Sequence, residues 1–366
     1  MPKQLCVHIG TGKAGSTAIQ TFCAAHSEQL RRLGVHYWGL NLESSPASQR
    51  FPWQCPTGTS LLQRLSDAEA AEQLRVALEA AVDQLPDGAM ALWSNESIYE
   101  RPNVYIPLLK SVSAQSDVNL LVIAYARNHI GYLCSAYKQW GIKHKTYRGP
   151  LLGFADWLTA RKDFLSYGKR LAIWDSAFAD RFRLVNYNST SDVVAHICRF
   201  LPAGVAGLQR SANLAVNASP PDQQLALYAA YNNQFEEPVS PQAFQELSNR
   251  LGLLQRFRGR PAPRLRSLFP TTADLRRAEE LLADDAALVN TMLRRHGQPP
   301  LVGQGELQPQ PHPDPEQLSA MLLAQLMAVV VHQDARIQEL QQQLSNAPEA
   351  AAQPVGGKGP VAGRQG

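Results

Sequence analysis

The chain has 366 residues, 45% of them hydrophobic, and a formal net charge of +4. That length can bury a large core, and so mild a positive charge fits a small anionic ligand while falling short of what nucleic-acid binding calls for. The five cysteines are scattered with no C-x-x-C pair, and there is neither a signal-peptide pattern nor a run of about 18 apolar residues, so we expect no metal site, no disulfide framework, no transmembrane segment and a cytoplasmic protein.

The elements follow in chain order. Leu5 to Ile9 is a short apolar run closed by Gly10, the pattern of a buried strand. From Ser16 to Leu33 the apolar residues fall at helical spacing. Residues 39–60 are rich in Ser, Pro, Gly and Gln and predict a long loop. Asp67 to Leu85 is an alanine-rich helix, and Ala89 to Trp93 a second apolar run. Val118 to Ala126, "VNLLVIAYA", is the strongest strand pattern in the chain, and a helix is expected from His129 to Trp140. Phe182 to Asn186 predicts another strand, with a helix from Asp192 to Leu201. Strands alternating with helices predict an α/β fold, a parallel central sheet flanked by helices.

The second half changes character. Residues 1–296 are expected to form one domain, with an α/β core to about 220 and a helical part from 221 to 296. Residues 297–315 predict a linker and 316–345 a C-terminal helix, with Ile337, Leu340 and Leu344 on one stripe. Residues 346–366 predict a disordered tail. The C-terminal helix offers a surface for self-association, although it holds barely three heptads.

Between the first strand and first helix stands "GTGKAGST", residues 10–17. The common nucleotide loop is G-x-x-x-x-G-K-[ST], with lysine after the second glycine. Here Ser16 follows Gly15, and the lysine is Lys13. A strand, a glycine turn and a helix start still make a cradle of backbone N–H groups at a positive helix end, a general anion site. Lys13 adds a point charge, and Ser16 and Thr17 add hydroxyls.

This P-loop-like stretch, Gly12, Lys13, Ala14, Gly15, Ser16 and Thr17, resembles the phosphosulfate loop of sulfotransferases that use 3′-phosphoadenosine-5′-phosphosulfate (PAPS), and "HIGTGKAGSTAIQ" is similar to their bacterial branch. Gly12 stands where the better-known animal enzymes carry proline. A second motif fits the same family: "YARNHIGYLCSAYKQW" puts Arg127 at a strand end and Ser135 on the next helix, similar to the family's 3′-phosphate clamp. A terminal phosphate dianion suits a guanidinium fork and a hydroxyl donor. Asn128 and His129 replace the usual residues after the arginine. "LWSNESI", with Glu96, "SANLAVNAS" from Ser211, and the arginines at 256, 258, 260, 264 and 266 carry weaker similarities.

The resemblance implies transfer of a sulfuryl group from PAPS to a hydroxyl or amine, leaving 3′,5′-adenosine bisphosphate (PAP). It suggests a glycan or lipid-linked sugar as acceptor, and Trp38 and Trp53 in or beside the loop at 39–60 are candidates to line a carbohydrate site. Lys13 would meet the leaving group. Glu96 is the first candidate for the base and His8 the second, with His129 and His144 behind them. Both have plainer readings, Glu96 as a capping or ion-pair carboxylate and His8 as a core histidine. The alternative function is a P-loop-type kinase acting on a small molecule or sugar. Such an enzyme needs a strand ending in Asp to organise magnesium, whereas the strongest strand here ends in Arg127.

Overall fold

The computed structural model describes residues 2–115, 118–208, 222–233, 235–240, 242, 244, 246, 270–302, 326, 329–330 and 332–343. At its centre is a five-stranded, all-parallel sheet in the order β2 (Val35–Tyr37), β3 (Met90–Ser94), β1 (Lys3–Gly10), β4 (Val118–Ala126), β5 (Phe182–Asn186). Side chains alternate across β1 as the pleat requires. Leu5, Val7 and Ile9 enter the core on one face, and Cys6 enters a second core on the other.

The second face is covered by α1 (Ser16–Ala25), α2 (Ser27–Arg32) and α9 (Val193–Ile197). The first is covered by α4 (Asp67–Asp83), α5 (Pro102–Gln115) and α8 (Gly168–Phe178), with α3 (Thr59–Arg64), α6 (His129–Ala136) and α7 (Phe154–Leu165) completing that layer. A sheet buried on both sides explains why β1, β3 and β4 read as nearly unbroken apolar runs. The chain leaves β1 toward β2 and leaves β4 toward β5, in opposite directions. The crevice between the carboxyl ends of β1 and β4 is therefore the switch point where open parallel sheets take ligands.

The helical part contributes α10 (Asp222–Asn232), α11 (Thr272–Leu281) and α12 (Ala283–Arg295). It is built onto the sheet layer: α12 packs on α8 and β5, and α11 on α6 and α7. Residues 332–343 are helical, and Ile337 and Leu340 are exposed. The arginines at 256, 258, 260, 264 and 266, the "SANLAVNAS" segment, Leu344, and most of the expected linker and the whole tail lie outside the described residues. No described helix is long and apolar enough to cross a membrane.

Several expectations need adjustment. The helical run from Ser16 breaks at His26, whose ring nitrogen Nδ1 lies 2.9 Å from the Phe22 carbonyl and which separates α1 from α2. The helix after β4 ends as an α-helix at Ala136 and continues as a π-helical segment, Tyr137–Lys143. Trp38 and Trp53 are buried to 0% and 2% exposure, so they pack the core and line no open carbohydrate site. The chain also stays packed beyond residue 297. Asn186 Nδ2 donates to the Pro299 and Pro300 carbonyls, and Leu301 is buried, its amide bound to Asn290. Residues 299–301, expected to be linker, are therefore packed against the domain.

Candidate functional site

The loop between β1 and α1 is shaped by three residues in the left-handed region: Gly10 (φ 111°), Lys13 (φ 64°) and Gly15 (φ 90°). Gly15 is required twice over. Its φ disfavours any side chain, and a Cβ there would stand 2.8 Å from Val193 Cγ1 of α9. At Gly10 a Cβ would meet Glu96 at 3.1 Å, so the backbone after β3 lies against the loop entrance. Gly12 is freer, with the Trp140 ring 3.6 Å from where its Cβ would be. Ala14 and Ser16 are buried, the Ser16 hydroxyl donating to the Thr11 carbonyl at 3.5 Å, while Thr17 is exposed.

α1 starts at Gly15 with no side-chain cap and no acidic residue in its first turn, leaving its first amides and positive end to an external acceptor. Among the described residues the Lys13 ammonium has neither a hydrogen bond nor an ion pair. Burial lowers its pKa to about 8. Glu96 pulls it back up, and Arg127 and Lys143 press it down. An uncompensated, partly desolvated cation beside uncapped amides is the arrangement that an anion relieves.

Arg127 leaves the end of β4 and crosses to the loop. Its Nη1 donates to the Lys13 carbonyl at 2.9 Å, and its guanidinium lies over the Tyr187 ring at 5.6 Å. Gly131 of α6 makes room for it, since a Cβ there would stand 3.1 Å from Arg127 Nε. Ser135 is half-buried further along α6, and among the described residues its hydroxyl has no partner. Arg127 thus stands just past the end of β4 and Ser135 on α6, where the sequence pattern expects them, and the arginine braces the loop.

Glu96 stands on the opposite side. Gln20 of α1 fixes it by donating from Nε2 to Glu96 Oε2 at 2.7 Å and to the Ser94 carbonyl at 3.2 Å. His8 is fully buried inside β1, with Nδ1 2.8 Å from Ser94 Oγ, and burial drives its pKa down to about 4. It is a neutral core histidine, and Glu96 is the carboxylate that shares the loop's electrostatics.

The π-helical segment forms a third wall that sequence patterning missed. It brings Trp140 over Gly12 and carries Lys143 and His144 close enough for both to interact with Lys13. Burial and the two lysines lower His144 to about 4, so it too is neutral. π-helical turns concentrate at functional sites. The lysine-rich "KQWGIKHK" was the available signal, but a 3.6-residue period cannot say which of its cations turns inward.

A second network supports the first from behind. His129 Nε2 lies 2.9 Å from Asp285 Oδ2, with both side chains 6% exposed. The His129 ring stacks on Tyr167 at 4.5 Å and 12°, and the Tyr167 hydroxyl donates to the Arg127 carbonyl. Asp285 also accepts from the Gly168 amide at 2.9 Å. Burial pushes the Asp285 carboxyl up, but hydrogen bonds from His129 and Gly168 outweigh it and leave it below its ordinary value. His129 is committed to this network, so it is not placed to act as a base. Among the described residues, no three His, Cys, Asp or Glu side chains gather as a metal site would need.

Comparison with protein-family models, curated proteins and solved structures gives no match to this chain.

Proposed function

We propose that the protein is a PAPS-dependent sulfotransferase. The observation that carries this reading is the Lys13 ammonium in a glycine loop, without a partner among the described residues and braced by Arg127 from the neighbouring strand end. The residues fit a doubly anionic nucleotide: uncapped α1 amides and Lys13 for one anionic group, and the Arg127 fork with Ser135 for another. When bound, the donor would supply a sulfuryl group already activated by its bond to phosphate. A sugar or other small-molecule kinase would use the same cradle, but the strand end that should offer Asp to magnesium offers Arg127 instead.

In this reading the acceptor oxygen attacks sulfur in line, the sulfur–oxygen bond to the phosphate breaks, and that electron pair stays on the phosphate oxygen of PAP. Lys13 and the loop amides stabilise the charge growing there. Glu96 takes the acceptor's proton, held in place by Gln20. Full-length protein supplied with PAPS and hydroxyl acceptors should release PAP together with the sulfated acceptor, measured by mass spectrometry. Glu96→Gln keeps the shape and removes the basicity, so its rate should fall by about 10²–10⁴, with donor affinity near wild type. With an acidic phenol as acceptor the deficit should shrink. A Glu96→Gln enzyme that matches wild type on ordinary alcohols would remove Glu96 as the base.

A further inference from the structure

Among the described residues, eight large hydrophobic side chains stand exposed, and four of them lie near the C-terminus: Leu326 and Val330 at 60%, Ile337 at 52% and Leu340 at 43%. The other four are scattered singly over the domain. Residues 326, 329–330 and 332–343 are helical, and every residue from 332 to 343 is exposed. This helix therefore packs against no other described part of the chain. A lone helix of about 12–15 residues is marginal in water, and apolar side chains gathered on one face of it call for a cover.

The spacing points to the cover. Leu326, Val330, Gln333, Ile337 and Leu340 follow one another by four, three, four and three residues. That is the step of a heptad seam, narrower than the stripe with which a helix packs on a domain. The sequence carries the same step outward to Leu323 and Leu344. β-branched Val330 and Ile337 take one set of seam positions and Leu326 and Leu340 the other, the combination that favours two parallel strands. Gln338 donates to Asp334 at 3.0 Å and Gln343 to Glu339 at 3.5 Å, and Arg336 pairs with Glu339, all off the seam. In a parallel pair Val329 would face the partner's Asp334, and Arg336 the partner's Gln341, so no like charges meet. Six apolar seam residues per copy, at roughly 100 Å² each, bury about 1,200 Å² over two copies, the lower edge of a stable interface.

We propose that this stripe is the seam of a parallel, two-stranded coiled coil with a second copy of the chain, held in register by Gln333. In register, the two Gln333 amides meet, and each can donate to the other. A slip of one heptad sets each amide against Leu326 or Leu340 and buries it without a partner. The polar layer therefore costs some stability and selects the register. Parallel strands put both domains at the same end of the coil. The pairing does not depend on what the domain catalyses.

The test is sedimentation equilibrium of the full chain over a wide range of concentration. Wild type should reach twice the 40.3 kDa mass of one chain and go no higher. Ile337→Asp puts a charge in the seam and should raise the dissociation constant by about 100-fold or more. The domain should melt near the wild-type temperature, because the helix that carries Ile337 packs on none of it. Orientation is read from Leu340→Cys. In a parallel, in-register pair the two introduced thiols face each other, and oxidation should give a covalent dimer on a non-reducing gel. Ala335→Cys, on the outer face, should give none. The five native cysteines are buried or half-buried, so wild type should stay unlinked. A monomer at every concentration, a trimer or tetramer, or a dimer indifferent to Ile337→Asp would overturn the proposal, and so would a dimer in which Leu340→Cys does not link.

Discussion

Arg127 Nη1 donates to the Lys13 carbonyl at 2.9 Å, so the end of β4 holds the loop that follows β1. One guanidinium thereby has two tasks, fixing the loop backbone and offering its remaining nitrogens to a phosphate. Losing it should harm every ligand of the loop somewhat, and a ligand with a 3′-phosphate more. Arg127→Ala should weaken PAP binding by about 10- to 150-fold, corresponding to a charge-assisted fork of about 1.5–3 kcal/mol. The same substitution should weaken 5′-adenosine monophosphate by a smaller factor. Calorimetry with both nucleotides measures the difference, and equal losses would confine Arg127 to the brace.

Lys13 gives the site a pH dependence of definite sign. Its pKa in the free protein is lowered to about 8 by burial, whereas an unfolded lysine titrates near 10.4. Between those values the unfolded chain binds more protons, so the ligand-free protein should gain stability as pH rises from 8 to about 10. Anion binding needs the charged form and should move the other way. PAP affinity should fall as pH rises through 8, by up to about tenfold per unit beyond it. Lys13→Met should flatten that profile at a lower affinity.

Asp285 carries a linkage of the same sign in the acid range. Its carboxyl sits below its ordinary value, so its contribution is present above pH ~4 and is lost as pH falls through the depressed value. Asp285→Asn should lower stability by about 1–3 kcal/mol, the cost of a compromised buried hydrogen-bond partner. Thermal unfolding at neutral pH reads this loss, and the difference from wild type should narrow in acid. Through His129 and Tyr167 the substitution should also loosen Arg127, visible as weaker PAP binding with the 5′-monophosphate less affected.

The chain can be shortened, but not at the boundary that composition marks. Pro299, Pro300 and Leu301 are fastened to Asn186 and Asn290. A chain ended at residue 302 should melt near wild type and keep its PAP affinity. One ended at 297 should melt at a lower temperature. Equal melting temperatures would show that those contacts contribute little.

The sheet was legible because its strands are buried on both faces and so read as apolar runs. β4 and β5 were expected at the residues where they stand. β2 escaped because three residues are too few to set a period, and α5 because Pro102 and Pro107 in "RPNVYIPLLK" resemble loop punctuation. Pro102 is tolerated at the helix start, where no internal amide bond is lost. At the site, the loop and Arg127 were legible from glycine spacing and from a charge ending an apolar run. Trp140, Lys143, Tyr167 and Asp285 were not, because they come from distant elements and meet only in the folded chain, and the contact of Gln20 with Glu96 is visible only there too.

The most direct measurement is titration calorimetry of the full chain with PAP, against ADP with magnesium as the alternative ligand. The expected result is a PAP complex that forms without magnesium, weakens in Arg127→Ala, and is far tighter than the ADP complex. Tighter binding of magnesium–ADP, with PAP indifferent to Arg127, would contradict the sulfotransferase reading and favour a kinase.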